Sequence, residues 1–217
     1  MNCVLGLINA ATDGSAGGAS SAYVIYNMRG DAGGKPFLLS DGVAIGYGAR
    51  NFADGLDAVY LVGQENYPLE FMETVYPVRM RAYGLLEDSG GPGQWRGGCG
   101  VFRELEVLAD NALLSVRIDG VDNPPDGVRE GLSGGGGRAV INPGTPQERE
   151  INPLSDGTVL KKGDVFRIET VGGGGWGNPL ERDAERVRKD VLGHKVSLEA
   201  AREVYGVVLA DENLAID

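Results

Sequence analysis

Apolar and polar residues alternate with a period of two from the start of the chain to about residue 180, which predicts strands rather than helices. Val78-Arg79-Met80-Arg81-Ala82-Tyr83 shows the pattern best: apolar and basic positions alternate, as a strand with one buried and one wet face requires. Ala22–Asn27, Val59–Gly63, Val101–Ala109, Ala112–Ile118, Arg138–Asn142 and Val165–Val171 carry β-branched and aromatic residues between Gly, Asp and Asn clusters. They complete a set of seven or so short strands. Lys161-Lys162-Gly163-Asp164 reads as the turn that leads into the last of them.

After Trp176 the period changes. Asn178 reads as an N-cap with Pro179 at the first helical position, and Leu180, Ala184, Val187 and Val191 then share one helical face until Gly193. Ser197 opens a second helix through Tyr205, closed by Gly206, and Val207-Val208-Leu209 reads as a final strand or an extended packing tail. Strands first and helices last predict an α+β fold, predominantly β. An antiparallel or mixed sheet body spans residues 1–177, and a C-terminal helical hairpin over 178–217 docks on it, because helices this short are marginal alone.

Glycine changes this picture. It occupies 36 of 217 positions, about 17% against a usual ~7%. Much of the excess lies in Gly97-Gly98-Cys99-Gly100, Gly134 to Gly137 and Gly172 to Gly175. No Gly-X-Y period, no P-loop and no strand–Gly-x-Gly-x-x-Gly–helix unit with a following acidic residue is present, so collagen and nucleotide-binding folds are set aside. These runs are expected at tight crossings, or where another backbone comes close. Charge narrows the partners: 20 Lys and Arg against 31 Asp and Glu give a net charge of -11, with no basic block. Nucleic acid and anionic membranes are therefore not expected as ligands. With no basic leader and no apolar run of roughly 18 residues, the chain is expected to be soluble and cytoplasmic. Cys3 and Cys99 have no C-x-x-C spacing and read as buried or incidental thiols.

His194 is the single histidine, in the link between the two C-terminal helices, where a helix-end or solvent role is expected. One His and two separated Cys cannot build a His-rich metal site or a Ser-His-Asp or Cys-His triad. An acid–base pair of carboxylates stays open. Turn-rich segments hold the remaining candidates: Asn66-Tyr67-Pro68-Leu69-Glu70, the turn Asp88-Ser89-Gly90-Gly91-Pro92-Gly93, and Gln94-Trp95-Arg96, whose Arg96 suits a carboxylate or an interface. Arg117, if buried, requires an acidic partner.

These segments resemble the C-terminal portion of the hydantoinase B/oxoprolinase family. The matching stretches are Tyr76-Pro-Val-Arg-Met-Arg, Asp88-Ser-Gly-Gly-Pro-Gly-Gln-Trp-Arg-Gly-Gly-Cys-Gly-Val, Lys162-Gly-Asp-Val-Phe-Arg-Ile-Glu-Thr-Val-Gly-Gly-Gly-Gly-Trp-Gly-Asn-Pro and Val196-Ser-Leu-Glu-Ala-Ala-Arg-Glu-Val-Tyr-Gly-Val-Val. Asn66-Tyr-Pro-Leu-Glu resembles an Asn-Thr-Pro-x-Glu element, and Gly46-Tyr-Gly-Ala-Arg with Asp54-Gly55 a Gly-rich approach. The segment Val121-Asp-Asn-Pro-Pro-Asp-Gly-Val-Arg-Glu-Gly-Leu departs from the family's tighter Pro-Pro turn. The resemblance implies a component of an ATP-dependent hydrolase of cyclic amides, such as hydantoins or 5-oxoproline. It implies as partners a hydantoinase A-like ATPase subunit and a polypeptide carrying the N-terminal half of hydantoinase B, in a hetero-oligomer. A related ATP-dependent ketone carboxylase, and a non-catalytic assembly component or remnant, are the alternatives. ATP and a divalent metal are expected in the partner subunits or the N-terminal half, with no metal ligand or cofactor on this chain, because the family's Asn-Asp-Pro-Tyr and His-x-x-Asp motifs are absent from it. Met1-Asn2-Cys3-Val4-Leu5-Gly6 resembles an internal segment of the family, so a split or truncated hydantoinase B is expected. Asn66 and Glu70 are the candidate polar orienters of substrate, and Arg96 the candidate anion contact.

Overall fold

The computed structural model describes residues 2–21, 23–60, 64–210 and 216. Helix α1 (Asn2–Thr12) precedes a hairpin of β1 (Val24–Ala32) and β2 (Lys35–Gly42). The hairpin turns on Gly33 and Gly34, both with positive φ, the two-residue connection whose twist matches that of paired strands. Helix α2 (Leu69–Val75) leads into β3 (Val78–Leu85), β4 (Val101–Val107), β5 (Asn111–Ile118), β6 (Arg138–Ile141), β7 (Arg149–Ile151), β8 (Leu154–Lys161) and β9 (Val165–Glu169). A 3-10 turn (Pro179–Glu181) and helices α3 (Ala184–Leu192) and α4 (Leu198–Glu203) follow.

The strands form two antiparallel sheets, in the orders β2-β1-β5-β8 and β3-β4-β9-β6-β7. Their inward faces share one core, in which Tyr26, Met28, Leu39 and Leu114 of the first sheet meet Leu105, Ile141, Phe166 and Ile168 of the second. The ring of Tyr26 meets that of Phe166 edge-on at 5.5 Å. The expected alternation in β3 is present: Val78 is buried while Arg79 and Arg81 are exposed and pair with Glu106 of β4.

The fold is therefore the predominantly β, α+β arrangement expected, with more elements. Lys35–Gly42, Arg149–Ile151 and Leu154–Lys161 are strands that alternation alone did not reveal, and α1 and α2 are helices it did not propose. Val59 makes only an isolated bridge to Ile45, and residues 61–63 of that expected strand lie outside the described residues.

The expected helix from Pro179 to Gly193 is broken. Asn178 does cap a turn, accepting from Leu180 N–H at 2.9 Å, but the chain then extends at Arg182 (φ -68, ψ 132). A fresh helix starts under Asp183, which accepts from Arg186 N–H at 3.0 Å. The extended backbone at Arg182 accompanies its reach to Asp54 and Asp190. Ser197 caps α4 as expected, through Ala200 N–H at 3.0 Å. Val207 and Leu209 form a packing tail, buried with Val187, Val191, Val196, Ala201 and Tyr205 in a second, smaller core.

Between the sheets and the hairpin run extended segments that belong to neither sheet. Gly172, Gly173, Gly174, Gly175 and Trp176 donate their N–H groups in turn to Gly135, Gly98, Ala19, Leu132 and Trp95, each at 2.9 Å. The partner segment recurs every third residue, so this stretch has the threefold screw of a polyproline II helix packed among neighbours of the same kind. A Cβ on any of the four glycines would lie 1.9 to 2.2 Å from the backbone of Ser89, Tyr47, Asp126 or Pro92. The glycine runs are thus the close crossings that their composition implied.

Candidate functional site

Asn66 lies at the outer end of a polar cluster that runs inward between the sheets. Arg103 of β4 is 2% exposed, and its guanidinium pairs with Asp41 of β2 while donating to Tyr60 Oη at 3.1 Å and to Asn66 Oδ1. It also lies over the ring of Tyr83, 4.9 Å from the centroid. Tyr26 donates to Asp41 Oδ2 at 3.0 Å, and Asn66 Nδ2 donates to Tyr83 Oη at 3.2 Å. Burial works against the Arg103 charge, but Tyr26, Asp41 and Tyr60 hold it protonated. Burial pushes the Asp41 carboxyl above the usual range against the pull of Arg103, and it raises the phenols of Tyr26 and Tyr60 as well. Beside the cluster is a cleft of about 270 Å³, whose lining includes Tyr23, Asp41, Tyr60, Glu65 and Tyr67.

Glu70 stands in the first turn of α2, exposed, where the helix N-terminus favours a carboxylate. Among the described residues no hydrogen bond or ion pair links it to Asn66 or Arg96.

Arg96 occupies a different place. It is 2% exposed, at the junction of the body and the C-terminal hairpin, and its guanidinium faces Asp57 at 3.2 Å and Asp190 of α3 at 3.4 Å. Arg182 makes a bidentate pair with Asp54 at 2.7 and 2.9 Å and reaches Asp190 at 2.7 Å. Lys195 closes the set on Asp57 at 2.8 Å. Burial would raise Asp54 and Asp57, but Arg182 for the first and Arg96 with Lys195 for the second hold both carboxyls below the usual range. With the exposed Arg186 3.6 Å from Asp54, four cations thus face three carboxylates, and the charge of Arg96 is balanced within the chain. The two arrangements hold separate candidates: Asn66 belongs to the first and Arg96 to the second.

Arg117 is exposed, so its position calls for no acidic partner. His194 is also exposed, at positive φ, with Glu87 4.0 Å away. Among the described residues no group of three or more His, Cys, Asp or Glu is arranged to hold a metal ion. Asp41, Arg103, Asp54, Asp57, Arg182 and Asp190 were not picked out from sequence as site residues. Asp54 is marked in the sequence only through the Gly-rich stretch it shares with the family, and Arg103 by sharing the parity of Val101, Leu105 and Val107 in its strand.

Two packed antiparallel sheets, glycine-threaded crossings and a hairpin locked on by ion pairs define a scaffold whose buried charges are paired within the chain. The chain belongs to the hydantoinase B/oxoprolinase family, whose model matches residues 1–179. It is 40% identical over 157 residues to uncharacterized protein MJ0963 of Methanocaldococcus jannaschii, covering 70% of this chain and 27% of that protein. It is 36% identical over 168 residues to the B component of a putative D-/L-hydantoinase of Pseudomonas sp. strain NS671, covering 76% of this chain and 28% of that one. The crystal structure of the ATP-dependent caprolactamase from Pseudomonas jessenii superposes on 97% of this chain and 38% of its own, with TM-score 0.79 and 29% identity. A nucleotide-free acetone carboxylase shares the fold at TM-score 0.76 and 19% identity. The chain spans about a quarter of the length of these curated relatives.

Proposed function

We propose that this chain is the C-terminal, β-rich component of an ATP-dependent hydrolase of cyclic amides, acting with a hydantoinase A-like ATPase subunit and with the remaining portion of a hydantoinase B. The observation that carries the reading is the agreement of sequence and fold with proteins named for this chemistry, a hydantoinase component and an ATP-dependent caprolactamase. In this assembly ATP and a divalent metal are bound outside this chain and supply activation of the amide. The chain's own residues position. Asn66 is the candidate orienter, beside a cleft whose lining includes its neighbours Glu65 and Tyr67 but not Asn66 itself: Arg103, Tyr60 and Tyr83 hold its carboxamide in place, and one amide N–H stays without a partner among the described residues. Glu70 is a second candidate orienter, and Arg96 ties the hairpin to the body through Asp190.

The test is gentle purification of the tagged chain from its host, followed by sizing and assays of the complex. Recovery of an actin-like ATPase and a polypeptide with the missing His and Asp motifs is expected, with hydantoin-, lactam- or 5-oxoproline-dependent ATP turnover and ring opening. ATP turnover that needs bicarbonate and a ketone would move the chain to the carboxylase branch. Recovery of a lone 22.8 kDa species without activity would overturn the reading in favour of a non-catalytic remnant.

A further inference from the structure

Helix α1 is built inside out. Its inner side carries Asn9, whose carboxamide accepts from Ala16 N–H at 2.9 Å and donates to Gly17 O at 2.8 Å, tying the helix to the body. The turn after it is fixed by Trp176, whose Nε1 donates to Gly14 O at 2.7 Å. The opposite arc is formed by Cys3, Val4, Leu7, Ile8, Ala10 and Ala11, which fall within about 160° of one another at about 100° per residue. All six are exposed, with Val4 at 59%, Leu7 at 72% and Ile8 at 42%. No charged residue occurs in the helix. On its inner side a groove of about 450 Å³, lined by Leu5, Gly6 and Asn9 of the helix and by Asp126, Gly127 and Val128, separates it from the body. A free surface helix turns its polar face to water and its apolar face inward, and this one does the reverse.

We infer that α1 is a docking element, clasped by the portion of hydantoinase B that this chain's relatives carry beyond the region they share with it. The inference rests on the functional reading above and names where that partner meets the chain. Three observations select the occupant. The caprolactamase chain that superposes on 97% of this one has 62% of its own length outside the match, since only 38% is covered. A membrane is disfavoured, because α1 has no Lys or Arg and the chain carries a net charge of -11. A second copy is disfavoured as well. One face of a helix about 16 Å long and about 10 Å wide falls far short of the roughly 800 Å² per partner of a stable dimer, and the two like-charged chains repel. A larger body that closes over the outer arc and fills the inner groove buries the helix on both sides.

The experiment places photoreactive benzoylphenylalanine at Leu7, and in a control at the exposed Lys162, in the chain expressed in its host. Cross-linked peptides are identified by mass spectrometry after purification of the complex. The expected result is a cross-link from position 7, absent from position 162, to a hydantoinase B family sequence outside the region aligned to this chain, whether on the same or a separate polypeptide. The double variant Leu7→Lys/Ile8→Lys should keep the circular dichroism and melting of the wild type while weakening that association about 10-fold or more. Cross-links to position 7 of another copy, to lipid or to an unrelated protein overturn the inference. So does an intact complex that either gives no cross-link from Leu7 or tolerates the double variant, and in these cases the functional reading survives. Failure of the unmodified chain to form any complex overturns both.

Discussion

Two arginines carry most of what individual side chains decide here. Arg96 and Arg182 are each almost fully buried, and Asp190 lies against both, at 3.4 and 2.7 Å. Removing one member of such a set leaves a carboxylate desolvated and uncompensated, which costs far more than the net worth of the pair. Arg96→Met should therefore destabilise the chain by about 3–5 kcal/mol, read as a lower urea midpoint, and the double variant Arg96→Met/Asp57→Asn should recover part of the loss. An unchanged midpoint in Arg96→Met would show that the network does not hold the hairpin. In the sequence, Arg96 beside Trp95 suits a carboxylate or an interface. Its actual partners lie 39 and 94 positions away, as the contacts to Asp57 and Asp190 show, and no local pattern encodes separations of that size. The Asn-x-Pro turn singles out Asn66 in the sequence, and Arg103 carries a signal of its own: it shares the parity of Val101, Leu105 and Val107, the buried face of β4.

At the scale of elements, period two located six of the nine strands found among the described residues, because a half-buried pleat imposes its alternation on the sequence. It missed β2, β7 and β8 for separate reasons. Lys35–Gly42 opens on Lys-Pro and ends on Ser-Asp-Gly, β7 has only three residues, and β8 contains Asp156-Gly157. The Gly33-Gly34 pair was the available signal for the first hairpin. Helix α1 carries its own signal, since Val4, Leu7, Ile8 and Ala11 follow the i, i+3, i+4, i+7 spacing of a helix, and a period of two extended to the start of the chain passes over it. The glycine crossings were legible as crossings but not as a bonded helix, since their order depends on which distant segments surround them. Gly97→Ala brings a Cβ to 1.9 Å from Gly173 O, against the backbone of Gly173 and Gly174. It should abolish cooperative folding or the soluble product. Gly6→Ala meets nothing within 4 Å and replaces a helical glycine, so it should raise stability by at most about 1 kcal/mol. Thermal melts of the two variants decide the matter, and equal effects would contradict the packing described.

For the molecule as a whole, the attachment of the hairpin to the body follows from protonation. Asp54 and Asp57 ionise more readily in the fold than in the unfolded chain. The stability they contribute is complete above the ordinary aspartate pKa of about 3.9 and is lost as pH falls through their lowered values. Asp41 has the opposite sign. Its carboxyl is raised, so its ionisation weakens the fold above the ordinary value, and that cost is relieved as pH falls. Urea midpoints measured from about pH 6 to about pH 2 should thus fall steeply at the acid end in the wild type. The slope should flatten in Asp54→Asn/Asp57→Asn. An acid limb that is unchanged in the double variant would place the sensitive carboxylates elsewhere.

The rotating bonds of Gly172 to Trp176 also set a rhythm of solvent exchange that secondary-structure labels would not suggest. These residues are neither helix nor strand, yet each N–H is directed into a neighbouring backbone, and Gly172 to Gly175 are buried on all sides. Amide exchange requires the bond to open and water to enter, and here one opening disturbs several segments at once. In hydrogen–deuterium exchange the nominal coil from Val171 to Gly177 should be among the slowest parts of the protein, slower than the edge strands β7 and β8. The stiffest stretch of this chain is then the one with the fewest side-chain atoms.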